Sequence, residues 1–208
     1  MGARSGSITY QLYHIDGAAE TERDALLGRI AEFAFQPLTA DAEDDFHHGW
    51  IVFEELLSTA FTRENVFRGE LVCLGMRIDQ WRLPGALLRA RSAEMAQEVK
   101  ARTGKQKLFR SEKEHIRETV TRELKQRTLP SAQMVDCVWE PDAKRVRFWS
   151  QSNRMLELFE SLFESTFEVR LVPSNPYVEA IEAKLDDALV GRLADAEPAR
   201  FTSFDDAL

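Results

Sequence analysis

The chain has 208 residues, 44% apolar and 30% charged, with a formal net charge of −8. Thirteen Phe and four Trp supply enough large apolar surface to exclude a disordered chain, and the length suits one domain or two small ones. With no apolar run long enough to span a membrane, no signal-peptide core and only Cys73 and Cys137, both in apolar runs, a soluble cytoplasmic protein with two small core thiols is expected.

Alternation at Ile8, Tyr10 and Leu12 predicts a strand over residues 7–15. "TERDALLGRIAEFAF" predicts a helix with Thr21 as N-cap and Leu26, Leu27, Ile30, Phe33 and Ala34 on one face. "LTADAEDDFHHG" reads as an acidic loop, and residues 50–57 fit either a strand or a helix start. "GELVCLGMRIDQWRLP" has strand composition with a kink or turn expected near Gly75 to Arg77. A helix over about residues 86–102 follows, with Leu88, Met95 and Val99 inward and Gly104 as its stop. The next helix is expected to open on a capping box of Ser111 and Glu114, and it carries Ile116, Val120 and Leu124 as its apolar stripe.

"AQMVDCVWEPDAKRVRFWS" predicts a hairpin turning at Pro141-Asp142. The strongest amphipathic pattern is "SNRMLELFESLFESTF", with Ser152 as N-cap and Met155, Leu158, Phe159, Leu162 and Phe163 inward. "FEVRLVP" reads as a strand, and a single last helix is expected with Val178, Ile181 and Leu185 in phase, before a frayed tail. This order, without regular strand-helix alternation, predicts an α+β fold with mainly antiparallel strands and packed helices. It divides into an N-terminal region 1–84, a basic helical segment 85–130, a hairpin-helix-strand-helix region 131–196 and a tail 197–208.

Residues 85–127 hold 12 Lys and Arg against 6 Asp and Glu, a local net of +6, so the remainder carries −14. Within the second helix of this segment Lys113 and Arg117 flank the apolar stripe, while Lys125 lies nearly opposite it. Glu98–Arg102, Glu118–Arg122 and Glu123–Arg127 have the favourable i,i+4 order, so much of this charge is expected to be self-paired. "ARTGKQKLFR" differs: Arg102, Lys105, Lys107 and Arg110 have no acid among them, and Phe109 is interleaved. Loop cations beside a helix N-terminus suit phosphate contact. The acidic loop offers Asp41, Glu43, Asp44, Asp45, His47 and His48 as conceivable metal ligands. No second ligand cluster is spaced to complete a site, so a solvated loop is expected. No phosphate-loop, dinucleotide, zinc-protease or serine-hydrolase motif is present, and no catalytic residue, metal or cofactor is expected.

The run from Gly104 to Pro130, followed by "CVWEPDAKRVRFWSQSNRMLELFESLFESTFEVRLVP", resembles the recombination-associated protein RdgC family. The front is similar as well: "YQLYHI", a helix ending "AEFAFQPL", the pair Gly49-Trp50, and "LVCLGMRIDQWRLP". The resemblance implies a nucleoid-associated homodimer that encircles double-stranded DNA without sequence preference and limits access of the RecA recombinase. Its phosphate contacts would be Arg102, Lys105, Lys107, Arg110, Lys113 and Arg117. Three departures matter, one being the net charge of −8, which weakens nonspecific DNA affinity unless positive charge is concentrated on an inner face. Family members continue through a further C-terminal region, so a shortened member is expected. Where the family commonly reads Leu-Pro-Arg-Ala-Phe in a DNA-contacting loop, Ser131 and Gln133 replace the cation and the aromatic. The alternative is a protein-interaction module that keeps the fold and has lost DNA binding.

Overall fold

The computed structural model describes residue 3, residues 9–42 and residues 44–196; the expected frayed tail and the start of the expected first strand lie outside these. The chain order is β1 (Gln11–Asp16), α1 (Arg23–Glu32), β2 (Phe46–Val52), α2 (Arg63–Val66), β3 (Phe67–Arg68), β4 (Leu71–Gln80), α3 (Gly85–Thr103) and α4 (Arg110–Arg127). Then come β5 (Ser131–Glu140), β6 (Arg145–Phe148), α5 (Asn153–Phe167), β7 (Arg170–Pro173), α6 (Pro176–Glu182) and α7 (Asp187–Ala194). The strands form one sheet in the order β2-β4-β5-β6-β1-β7, with β3 paired to β4. Every strand pairing is antiparallel, so the fold is α+β as the sequence predicts.

One sheet face carries the main core. Phe159, Phe163 and Phe167 recur at four-residue spacing on α5 and meet Trp50, Trp139 and Phe148 from three strands. Phe148 stacks on Phe159 with ring centroids 4.0 Å apart. Trp50 Nε1–H donates to Thr166 Oγ1 at 2.8 Å, so the buried indole is not left unsatisfied. Leu26 and Ile30 of α1 close the same cluster. Each such side chain contributes about 1.5–3 kcal/mol of burial, and together they fix the sheet as a rigid base.

Several expectations change. Thr21 does not cap α1; the Glu22 carboxylate does, accepting from the Asp24 and Ala25 N–H groups at 3.0 and 2.7 Å. Strand β2 starts at Phe46, so His47 and His48 belong to the sheet rather than to the acidic loop. No kink interrupts β4, because Gly75 is paired with both Ile51 and Asp136 in unbroken register. The expected single last helix is two. Lys184 takes a φ of +53°, Leu185 N–H returns to Ala180 O, and Asp186 caps α7 by accepting from Leu189 N–H. Ser152 stands at the N-cap position of α5 without donating or accepting a side-chain cap bond. The hairpin of β5 and β6 forms as predicted.

His14 on β1 bonds through Nε2 to Glu179 Oε1 at 2.9 Å, anchoring α6 beside the sheet. Cys73 pairs with Val138 and Cys137 with Leu74, so the two buried cysteines sit on opposite sheet faces and are not joined by a disulfide. The second face buries Asp136, whose Oδ2 accepts from Ala3 N–H at 2.7 Å while Oδ1 has no partner among the described residues. Burial pushes this carboxyl above its usual range. A raised folded-state pKa means its contribution to stability is fullest in acid and is lost as pH rises through that pKa. Asp136→Asn should therefore gain stability over the wild type as pH rises above the unfolded carboxylate range of about pH 4, as read from urea midpoints; a difference that shrinks with rising pH contradicts the assignment.

Candidate nucleic-acid interface

Strands β4 and β5 pair from Val72↔Trp139 to Gln80↔Ser131, and the helices α3 and α4 are inserted between them. The two helices pack on each other around Leu108, Ile116, Val120 and Leu124, with Leu83, Leu88, Met95, Ala96 and Val99 against them. This cluster is separate from the main core, so α3 and α4 form an arm with its own small interior. The inward residues and the stop at Gly104, with a φ of +67°, are those the sequence predicts. The start of α4 differs. It begins at Arg110, Phe109 holds the N-cap position, and the Glu112 carboxylate accepts from Phe109 N–H at 2.8 Å. The expected Ser111–Glu114 capping box is absent.

All six candidate phosphate contacts are exposed. Arg102 lies in the last turn of α3, Lys105 and Lys107 in the connecting turn, and Arg110, Lys113 and Arg117 on α4. Two of them are not free. Lys105 Nζ pairs with Glu112 Oε1 at 2.6 Å and sits over the Phe109 ring, and Arg110 Nε pairs with Glu114 Oε1 at 2.8 Å. Lys105 is the main reason the Glu112 carboxyl is held below its usual range, with the Phe109 N–H adding to it. Arg102, Lys107, Lys113 and Arg117 make no ion pair among the described residues. The predicted i,i+4 pairs do not form either: Glu98, Glu118 and Glu123 have no ion-pair partner among the described residues, and Arg122 reaches Asp41 instead, at 3.3 Å.

Lys113 and Arg117 share a groove with Arg89, which the sequence reasoning missed because it lies outside the acid-free stretch. The groove, of about 560 Å³, runs along α3 and α4 over a floor of Leu88, Ala93, Ala96 and Ile116. Phe109, 70% exposed, marks the turn end of the arm.

The other end of α4 is clamped to the acidic loop. Lys125, expected on the solvent side, is buried: its Nζ reaches Asp45 Oδ1 at 2.7 Å and Ala42 O at 3.4 Å. Asp41 and Asp45 are therefore engaged by α4 cations, and Glu43 lies outside the described residues. Among the described residues no group of three or more His, Cys, Asp and Glu could hold a metal ion. Removing one partner leaves a buried ammonium uncompensated, so Asp45→Asn should cost about 1–3 kcal/mol, less than a fully buried pair because Asp45 is 66% exposed. Lys125→Met, which removes the charge and keeps the stem, should cost under about 1 kcal/mol. Urea midpoints showing equal losses would contradict the clamp.

Ser131 and Gln133, expected in a loop, are the first residues of β5, paired with Gln80 and Ile78. Leu129 just before them is 91% exposed.

No curated protein matches the chain. The model of the family described as "Putative exonuclease, RdgC" matches residues 9–205, a span that contains the whole described sheet, the arm and its clamp. With nearly all of its length inside that match, the chain belongs to the RdgC family.

Proposed function

We propose that the protein binds double-stranded DNA without sequence preference, as a nucleoid-associated homodimer, and thereby limits access of a recombinase of the RecA type during homologous recombination, without catalytic chemistry of its own. The observation that carries this reading is the arm: four exposed cations, Arg102, Lys107, Lys113 and Arg117, free of acidic partners among the described residues, on a helical pair that leaves the sheet. Such cations neutralise phosphates and release counterions, which gives affinity without base readout.

A net charge of −8 does not oppose this, because the charge is segregated. The clamp at Arg122 ties α4 to the body, and Arg110 stands twelve residues before it, about 18 Å away along the helix. That exceeds the screening length of about 8 Å at physiological salt, so the turn cations act largely outside the field of the acidic body.

A duplex-shift assay at low and moderate salt, beside a native-mass measurement, tests the reading. Unrelated duplexes should bind alike at low salt and be released steeply as salt rises. Loss of binding even at low salt would instead favour the protein-interaction module, which the pairing of Lys105 and Arg110 and the residues Ser131 and Gln133 support.

A further inference from the structure

An apolar ring stands in water at the tip of the arm, and its backbone is fixed there from both sides. Leu108, just before it, is buried in the interior between α3 and α4. Glu112 Oε2 accepts from the Phe109 N–H at 2.8 Å, and Phe109 O accepts from the Lys113 N–H at 3.2 Å. These contacts hold Phe109 in the extended N-cap conformation, φ −68° and ψ 164°, while the residue stays 70% exposed. Glu112 also holds Lys105 through Oε1, which sets that ammonium on one side of the Phe109 ring, 5.5 Å from its centre. No other aromatic ring of the described residues contacts Phe109. A ring displayed on a fixed turn is pre-organised for a partner, because little backbone freedom remains to be lost on contact.

The surroundings select the chemistry of that partner. Arg102, Lys105, Lys107 and Arg110 flank the ring in sequence, and Arg102 and Lys107 have no acidic partner among the described residues. An apolar pocket on another protein would have to desolvate these cations along with the ring, which is costly. A nucleotide instead supplies a flat ring and an anion together. In an intact duplex each base is already stacked on its neighbours, so the ring could enter only by prying a step apart. An unpaired base carries no such cost and offers a whole π face.

We propose that Phe109 stacks on an unpaired nucleobase while Arg102 and Lys107 hold the adjoining phosphates, so that the tip of the arm prefers gapped or frayed DNA to intact duplex. The inference rests on the DNA-binding reading above and names the feature of the DNA that the tip selects. Lys105 occupies one side of the ring and leaves the other to the base. Sequence does not enter, because every base has a π face.

Fluorescence anisotropy with an intact duplex, and with the same duplex carrying a central gap of unpaired thymines, tests this. The wild type should bind the gapped DNA at least about fivefold more tightly, the lower end of what stacking on one base supplies. Phe109→Ala and Phe109→Leu should bind the two DNAs alike. Phe109→Trp should keep the preference, since the base needs an aromatic face rather than apolar area. A fluorescent purine placed in the gap should dim with the wild type and not with Phe109→Ala. Equal binding of both DNAs by the wild type, or a preference that survives in Phe109→Ala, would overturn the stacking and leave DNA binding standing. Phe109→Ala weakening both DNAs alike would put the ring inside the duplex and overturn the unpaired base. Loss of self-association in Phe109→Ala, read by native mass without DNA, would assign the ring to a second copy and overturn the proposal as well. A wild type that binds neither DNA would overturn both readings.

Discussion

Arg102→Gln/Lys107→Gln is expected to weaken binding to duplexes of unrelated sequence by roughly 10–100-fold at low salt, equally for each sequence. The plot of log affinity against log salt should flatten by about 2, since each phosphate contact contributes about 0.9 to its slope. The two residues sit at the turn of the arm, outside the groove, and neither has an acidic partner among the described residues. Lys105→Gln/Arg110→Gln is the informative comparison. Those cations must leave Glu112 and Glu114 before they can meet a phosphate, so neutralising them should change the slope by less than about 1. Equal slopes for the two pairs would contradict the pairing seen in the arm. An unchanged affinity in both would remove the arm from the DNA interface altogether.

The distinction between those pairs marks how far the sequence could be read. Local periodicity gives the arm itself: Leu88, Met95 and Val99 on one helix and Ile116, Val120 and Leu124 on the other face each other as their spacing implies. Gly104 ends α3 because a left-handed residue is needed there and glycine supplies it without strain. Partner choice is another matter. Lys105 finds Glu112 across a turn and a helix start, where no spacing rule applies. Arg122 and Lys125 find Asp41 and Asp45 some 80 residues away in sequence, which needs the tertiary fold. Those two long-range pairs explain both wrong expectations around them: the i,i+4 pair of Arg122, and Lys125 as a solvent-facing lysine.

The same physics accounts for the errors in the sheet. An acidic run ending in two histidines looks like a loop, yet pairing with β4 draws Phe46, His47 and His48 into β2. A glycine in a strand suggests a bend, but Gly75 is there for packing: a Cβ at this position would lie 2.9 Å from Ile51 Cγ1. At the C-terminal end, Val178, Ile181 and Leu185 are in phase for one helix. The break at Lys184 has no glycine or proline to announce it; only the Asp186 cap is legible afterwards. Leu189 and Leu193 of α7, beyond the break, are 41% and 37% exposed.

Gly49→Ala should be the most damaging small substitution in the chain, at about 3 kcal/mol or more. The segment after α1 runs against β2 here, with Phe35 N–H donating to Trp50 O at 2.8 Å and Trp50 N–H to Phe33 O at 3.0 Å. These two bonds hold backbone on backbone, so a Cβ on Gly49 would lie 2.7 Å from Phe35 Cα and 2.8 Å from Phe35 N. Main-chain atoms cannot swing aside as a side-chain end can, so relief requires breaking the bonds or moving Trp50 from the centre of the core. The added methyl at Gly75 meets only side-chain atoms, crowding Ile51 and touching Met134 at 3.5 Å, and Gly75→Ala should cost about 1 kcal/mol. Urea denaturation of the two variants at equal protein concentration separates the cases. A loss under about 1 kcal/mol for Gly49→Ala would mean that the contact between the α1 exit and β2 yields, and that the Gly49-Trp50 pair is kept for a reason other than this close approach.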